Sequence, residues 1–303
     1  MSRRHAAVLE SRGLLRLSGA DQRSFLQGMI TNDTRKLAPD RALWAAFLTP
    51  QGKFLHDFFL TAIGAPAAGS AAILIDCEAA RRDDLKRRLS LYKLRAKVVF
   101  DDVTEAYRVA ALFGDGALPA LGLPAEPGRA AAVAGGMAYV DPRLAELGAR
   151  AVLPRDGAAA ALTHAGFASA DAAAYDALRI SLGVPDGGRD LEIEKSLLLE
   201  SGFDELHGID WDKGCFVGQE LTARTKYRGL VKKRLLPVTI DGPPPPPGTP
   251  VLFEGKEAGV MRTSANGMGL ALLRLEVLAQ AAPGALTAGT ARLTARKPAW
   301  ANF

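Results

Sequence analysis

The sequence is poor in the residues that staple or metallate a chain. Its 303 residues include two cysteines, Cys77 and Cys215, in unlike surroundings: one closes an apolar run and the other lies among glycines. Such a pair excludes a disulfide framework. The four histidines are widely scattered, so together with two cysteines they do not make a four-ligand metal site of the usual spacing. No metal is therefore expected to be held by this chain alone, and any iron or zinc would need a partner chain, a small-molecule ligand or a second copy. No apolar run approaches the roughly 18 residues of a membrane span. The basic start, Met1-Ser2-Arg3-Arg4-His5, leads into Ala6-Ala7-Val8-Leu9, which Glu10 cuts off before a signal-peptide core can form. These absences predict a cytoplasmic protein with no membrane partner.

What is present is ordinary for a globular chain. Hydrophobic residues make up 48 % and charged residues 23 %, and the length suffices for two or three packed units. A net charge of +5 favours anions in general and names none.

The pattern along the chain mixes strands and helices. Residues 12–17 read as a strand. Ser18 and Asp21 have capping-box spacing, and Phe25, Leu26 and Met29 follow at helical intervals. Residues 41–48 and 53–63 read as a hairpin joined at Thr49-Pro50-Gln51-Gly52, where proline presets one turn dihedral and glycine ends the turn. Residues 71–76 and 96–100 read as strands flanking a charged helix at 78–91. Residues 107–113 and 137–140 are further strand candidates, with a loose Ala/Gly/Pro loop expected over 114–136. Residues 169–182 read as a helix ended by Gly183 and Pro185. Beyond Arg228, short strands at 234–240, 249–253, 257–263 and 268–273 surround five consecutive prolines, Pro243 to Pro247. The fold class is α+β, with a small antiparallel β unit at the C-terminus.

One segment stands apart by residue type. Lys213-Gly214-Cys215-Phe216-Val217-Gly218-Gln219-Glu220 brackets a cysteine with two glycines, which let the backbone turn sharply and approach a ligand. Lys213 is close enough in sequence to favour the thiolate, the reactive and metal-binding form. A buried structural cysteine in a tight turn fits the residues equally well.

This octapeptide resembles the K-G-C-[YF]-x-G-Q-E signature of the YgfZ family, relatives of the glycine cleavage T-protein. Its continuation, Leu221-Thr222-Ala223-Arg224-Thr225, is similar to the mitochondrial iron–sulfur assembly factor of that family. Phe25-Leu26-Gln27-Gly28 with Thr31-Asn32-Asp33 is similar to the family's F-L-Q-G-x-x-T-N-D, and Thr49-Pro50-Gln51-Gly52-Lys53 to its T-P-Q-G-[KR]. Residues 179–185 resemble R-x-x-x-G-[IV]-P, and Lys297-Pro298-Ala299-Trp300 resembles the family's tail. The matches span nearly the whole chain.

The resemblance implies a T-protein-like multi-domain fold: a folate-binding core over residues 1–230, divided near 100–106, and a C-terminal antiparallel β-barrel over 231–303. It implies tetrahydrofolate, or a one-carbon derivative of it, as cofactor. It implies an accessory role in assembling or maintaining iron–sulfur proteins, with assembly or client proteins as partners. Glu200 matches the pterin-facing glutamate and Asp57 the remaining member of an aspartate pair, His56 replacing the first. Asn32, Gln219 and Arg224, within the matching motifs, are assigned to the same ligand, and Cys215 with Lys213 to the chemistry. A folate-dependent one-carbon transferase and a binding protein linked to tRNA modification are the alternatives. RNA is not expected as a direct ligand, because the basic stretch around Arg81 to Lys97 has no interleaved aromatic platform.

Overall fold

The structure is a computed structural model that describes residues 4–63, 72–229 and 231–303. Met1, Ser2, Arg3 and Ala71, which figured in the sequence reading, lie outside the described residues. The chain divides into two compact units. One comprises Met1–Leu48, Leu55–Ala172 and His207–Val217; the other comprises Thr49–Phe54, Ala173–Leu206 and Gly218–Phe303.

The first unit holds two sheets. The strands run β1 (His5–Val8), β2 (Arg12–Ser18), β3 (Leu43–Leu48), β4 (Phe54–Ile63), β5 (Ala72–Glu78) and β6 (Val99–Asp102), with β3-β4-β5-β2-β6 side by side. Helices α1 (Gln22–Met29) and α2 (Arg82–Leu91) cover one face of this sheet. Phe25 and Leu26 of α1 and Leu85 and Leu89 of α2 join a core with Leu15, Leu17, Phe58, Leu60, Ile73 and Ile75. Each fully buried leucine or isoleucine contributes about 1.5–3 kcal/mol. The helix α1 begins differently from the expected capping box. Its cap residue Asp21 makes no cap bond, and its carboxylate instead accepts the Lys97 backbone N–H at 2.7 Å.

The second sheet continues with β7 (Tyr107–Phe113), α3 (Ala117–Ala120), β8 (Ala130–Val133), β9 (Gly136–Val140), β10 (Ala149–Pro154), α4 (Ala158–His164) and β11 (Ala168–Ser169). Its order is β11-β1-β7-β10-β9-β8. The segment 114–136, expected to be a loose loop, contains α3 and β8; Ala130 to Val133 pairs antiparallel with β9 and buries against that sheet. Alanine is a poor strand former on its own, and the neighbouring strand supplies what local propensity does not.

Charges lie inside this unit, in a network that joins the two sheets. The Asp76 carboxylate of β5 accepts Arg12 Nε at 2.6 Å and Arg150 Nη2 of β10 at 2.7 Å. Burial alone would raise its pKa; the two guanidiniums reverse this and hold it below the ordinary value. Asp141 and Arg143 form a second buried pair at 2.7 Å. The Phe59 ring packs under Arg150, Arg143 and Arg12 at 4.1, 5.0 and 5.7 Å.

The second unit contains α5 (Ala172–Ser181), α6 (Gly187–Asp190), α7 (Gln219–Tyr227) and a closed six-stranded antiparallel barrel. The barrel strands are β12 (Lys233–Asp241), β13 (Pro250–Phe253), β14 (Lys256–Ala265), β15 (Met268–Arg274), β16 (Leu286–Ala288) and β17 (Ala291–Ala295), with α8 (Leu275–Leu278) before β16. Strand closure removes the open edges of this small sheet around Leu236, Val238, Val251, Met261 and Leu293. Arg179 fastens α5 to this barrel. Its buried guanidinium reaches Asp190 at 2.6 Å, Val184 O at 2.9 Å and Thr263 Oγ1 of β14 at 2.9 Å.

Candidate functional site

The cysteine loop is built by two distant segments gripping each other. Gln27 Nε2 donates to Lys213 O at 3.0 Å, Lys213 Nζ donates to Gln27 O at 2.5 Å, and Val217 N donates to Gly28 O at 3.1 Å. The threonine–asparagine pair continues the grip. Thr31 Oγ1 donates to Gly208 O at 2.6 Å, and Asp210 N donates to Thr31 O at 3.0 Å. Asn32 Nδ2 donates to both Trp44 O at 2.7 Å and His207 O at 2.8 Å, while its Oδ1 accepts Asp33 N at 2.8 Å. Every amide bond of Asn32 is thus made to backbone. The F-L-Q-G and T-N-D motifs serve to hold residues 207–217.

Within that grip Lys213 is buried and Cys215 is exposed. Burial lowers the Lys213 pKa to about 8, against the pull of Asp33 and Asp210. Its ammonium lies 4.9 Å from the centre of the Phe216 ring as well as on Gln27 O. The lysine expected to prime the thiol also fastens the loop through its bond to Gln27 O. Asp33 is held as an anion at about pKa 2, chiefly by its side-chain bond to Arg35. Gly214 has φ +89° with open space around it, so the chain turns before Cys215 without a packing constraint.

A cleft of about 390 Å³ opens beside the loop, lined among others by Asn32, Lys36, Arg41, His207, Asp210 and Trp211. Its charges are largely paired internally: Lys36 Nζ lies 2.5 Å from Asp210, and Arg41 bonds Glu126.

The other expected residues fall as follows. Asp57 is buried and accepts Trp44 Nε1 at 3.0 Å. His56, next to it on β4, points to the opposite side, where Nε2 meets Asp84 of α2 at 3.0 Å. Burial lowers the His56 pKa to about 4, with Arg81 adding to the shift and Asp84 opposing it. The imidazole is therefore neutral at pH 7 and turned away from Asp57. Cys77 is buried, its thiol pushed up to about 12 by desolvation, which is the packing role its context indicates.

Glu200, Gln219 and Arg224 belong to the second unit, whereas Asp57, Asn32, Lys213 and Cys215 belong to the first. Glu200 is half-buried in a short 3-10 turn, Leu198–Ser201, and among the described residues its carboxylate makes no hydrogen bond or ion pair. Burial raises its pKa, opposed by Lys233, Lys53 and Arg234. Arg224 forms an exposed pair with Glu220 at 2.7 Å. Gln219 opens α7 directly after Gly218, whose φ is +83°.

The remaining motifs also pair off. A Cβ at Gly52 would meet Gly218 O at 2.9 Å, so the T-P-Q-G turn sits against the start of α7. A Cβ at Gly183 would meet Pro298 Cγ at 3.1 Å, and Trp300 Nε1 donates to Leu182 O at 2.8 Å, so the tail motif packs on R-x-x-x-G-V-P. Two residues of the buried network, Asp76 and Arg150, were not singled out from the sequence. The available signal was an aspartate inside Ile73-Leu74-Ile75-Asp76-Cys77, a charge that demands a buried partner.

Comparison with known proteins agrees with this architecture. Residues 232–303 match the family model described as CAF17, C-terminal beta-barrel domain. The chain is 34 % identical over 286 residues to the mouse protein named iron-sulfur cluster assembly factor IBA57, mitochondrial, covering 89 % of this chain and 77 % of that one. The chain belongs to the IBA57 family. The human IBA57 protein is 35 % identical, with 88 % and 76 % covered, and a homologue from Mycosarcoma maydis is 35 % identical, with 79 % and 59 % covered. A crystal structure of the glycine cleavage system aminomethyltransferase T from Bartonella henselae superposes with a TM-score of 0.76, covering 99 % of this chain and 87 % of that one. At 15 % identity this shows a shared T-protein fold, as the sequence resemblance implied. The cytoplasmic expectation is overturned: these IBA57 relatives are named as mitochondrial proteins, and the missing signal-peptide core spoke only to secretion.

Proposed function

We propose that this member of the IBA57 family acts in iron–sulfur cluster assembly by presenting Cys215 to a cluster shared with a second protein, and that it binds tetrahydrofolate through Glu200. The observation that carries the first part is the exposed cysteine on a loop fixed before it by the Gln27–Lys213 bonds and after it by Val217 N on Gly28 O. A thiolate on a rigid loop supplies one iron ligand at little ordering cost. Among the described residues no group of three or more His, Cys, Asp or Glu could hold a metal, so the remaining ligands come from another molecule.

The folate part rests on Glu200. A half-buried carboxylate without a protein partner suits the amino-pyrimidine edge of a pterin, which offers it paired donors. Asn32 is committed to backbone and does not fit as a ligand group. The test has two arms. Anaerobic titration with tetrahydrofolate is expected to saturate in the wild type and to weaken at least tenfold in Glu200→Ala. Four-iron enzyme activity in a deletion strain is expected to be restored by the wild type and lost with Cys215→Ser. Absence of folate binding removes the folate role, and full rescue by Cys215→Ser removes the cysteine role.

A further inference from the structure

The basic helix α2 and the turn after it sort their charges unevenly. Arg82 pairs with Asp102 at 3.1 Å and Arg88 with Asp84 at 2.9 Å; Arg81 and Arg87 also face Asp84. Lys86, Lys93, Arg95 and Lys97, by contrast, make no ion pair among the described residues. Three of these cations, Lys93, Arg95 and Lys97, are interspersed along the chain with exposed aliphatic side chains. Leu91 is 69 % exposed, Leu94 90 % and Val99 52 %.

The exposure is built in. Leu94 has φ +41°, a conformation a leucine adopts only at a cost of about 1 kcal/mol or more. Consecutive turn bonds hold it there: Tyr92 N to Leu89 O at 3.1 Å, Ala96 N to Lys93 O at 2.7 Å and Val98 N to Ala96 O at 2.9 Å. Tyr92 is anchored edge-on against Phe47, at 6.0 Å between ring centres, and leaves part of its ring outside. In β6, the outer strand of its sheet, Val98 before it and Phe100 point inward while Val99 points out.

We propose that residues 91–99 form a peripheral contact for an anionic lipid bilayer. A leucine exposed at 90 % protrudes and has no walls around it, which suits insertion between headgroups better than a bounded protein groove. Unpaired lysines and arginines beside it meet lipid phosphates, and a half-exposed tyrosine suits the interfacial layer. No helix among the described residues is long and apolar enough to cross a membrane, and a surface contact requires none. This contact is independent of the folate and cysteine roles.

The experiment is co-sedimentation of the full chain with phosphatidylcholine vesicles, with and without phosphatidylglycerol, at low and high salt. The wild type is expected to bind the anionic vesicles at low salt and to release at high salt. Leu94→Asn keeps the fold, because asparagine tolerates positive φ, and is expected to lower partitioning about fivefold to tenfold with an unchanged Tm. Lys93→Ser with Arg95→Ser and Lys97→Ser is expected to lower it about a hundredfold, at roughly fivefold per cation. No binding of the wild type at low salt overturns the proposal and leaves the patch to a protein partner. Equal binding of wild type and both variants also overturns it, since that is the generic adhesion of a chain with net charge +5.

Discussion

Replacing Asn32 by alanine separates two roles that the residue's motif suggests, a ligand contact and a fastener. The side chain makes bonds of 2.7 Å to Trp44 O, 2.8 Å to His207 O and 2.8 Å from Asp33 N. Its removal takes a hydrogen-bond partner from each of two carbonyls and one amide in a buried place. Because Asn32 also lines the cleft of about 390 Å³, water reaches the vacated space and re-pairs some of them. At about 1 kcal/mol for each group, the loss is about 3 kcal/mol, or about 6–12 °C in Tm. Hydrogen exchange should quicken specifically over residues 207–217, since their carbonyls and amides hang on Thr31 and Asn32. The measurements are thermal unfolding and amide exchange by mass spectrometry. A Tm shift below about 2 °C with unchanged exchange over the loop would refute the fastening role. Weaker folate binding at unchanged stability would restore the ligand role.

Two further outcomes follow from the geometry. Gly52→Ala should destabilise by about 2–4 kcal/mol, because φ is +68° and the new methyl meets Gly218 O at 2.9 Å; Gly214→Ala, at φ +89° with open space, should lose only about 1 kcal/mol, and denaturant titration compares them. His56, with its pKa lowered from 6.5 to about 4, is neutral in the fold and binds a proton more readily when unfolded, so its contribution is complete above pH 6.5 and fades as pH falls toward 4, by up to about 3 kcal/mol; His56→Gln should flatten that limb of the stability–pH curve.

The hairpin around Thr49 to Gly52, the strand 107–113 and the existence of a terminal β unit were legible because turn residues and apolar runs report local structure directly. The strand of residues 130–133 was not, since an alanine-rich segment carries little strand signal and acquires it from its neighbours. Capping-box spacing at Ser18 and Asp21 misled for a similar reason: a distant amide, that of Lys97, competed for the carboxylate.

By itself the sequence determined membership of a T-protein-like family, because K-G-C-F-V-G-Q-E and the other motifs match that family along nearly the whole chain. Only the tertiary structure decided which partners the motif residues bond. Lys213 lies two positions from Cys215 in the chain, yet its ammonium closes on Gln27, some 186 positions away. Charges buried in a low-dielectric interior go to whichever partner the fold brings within hydrogen-bond reach, and sequence spacing does not reveal that partner. The same holds for Asp76 and Arg150, joined across two sheets at 2.7 Å.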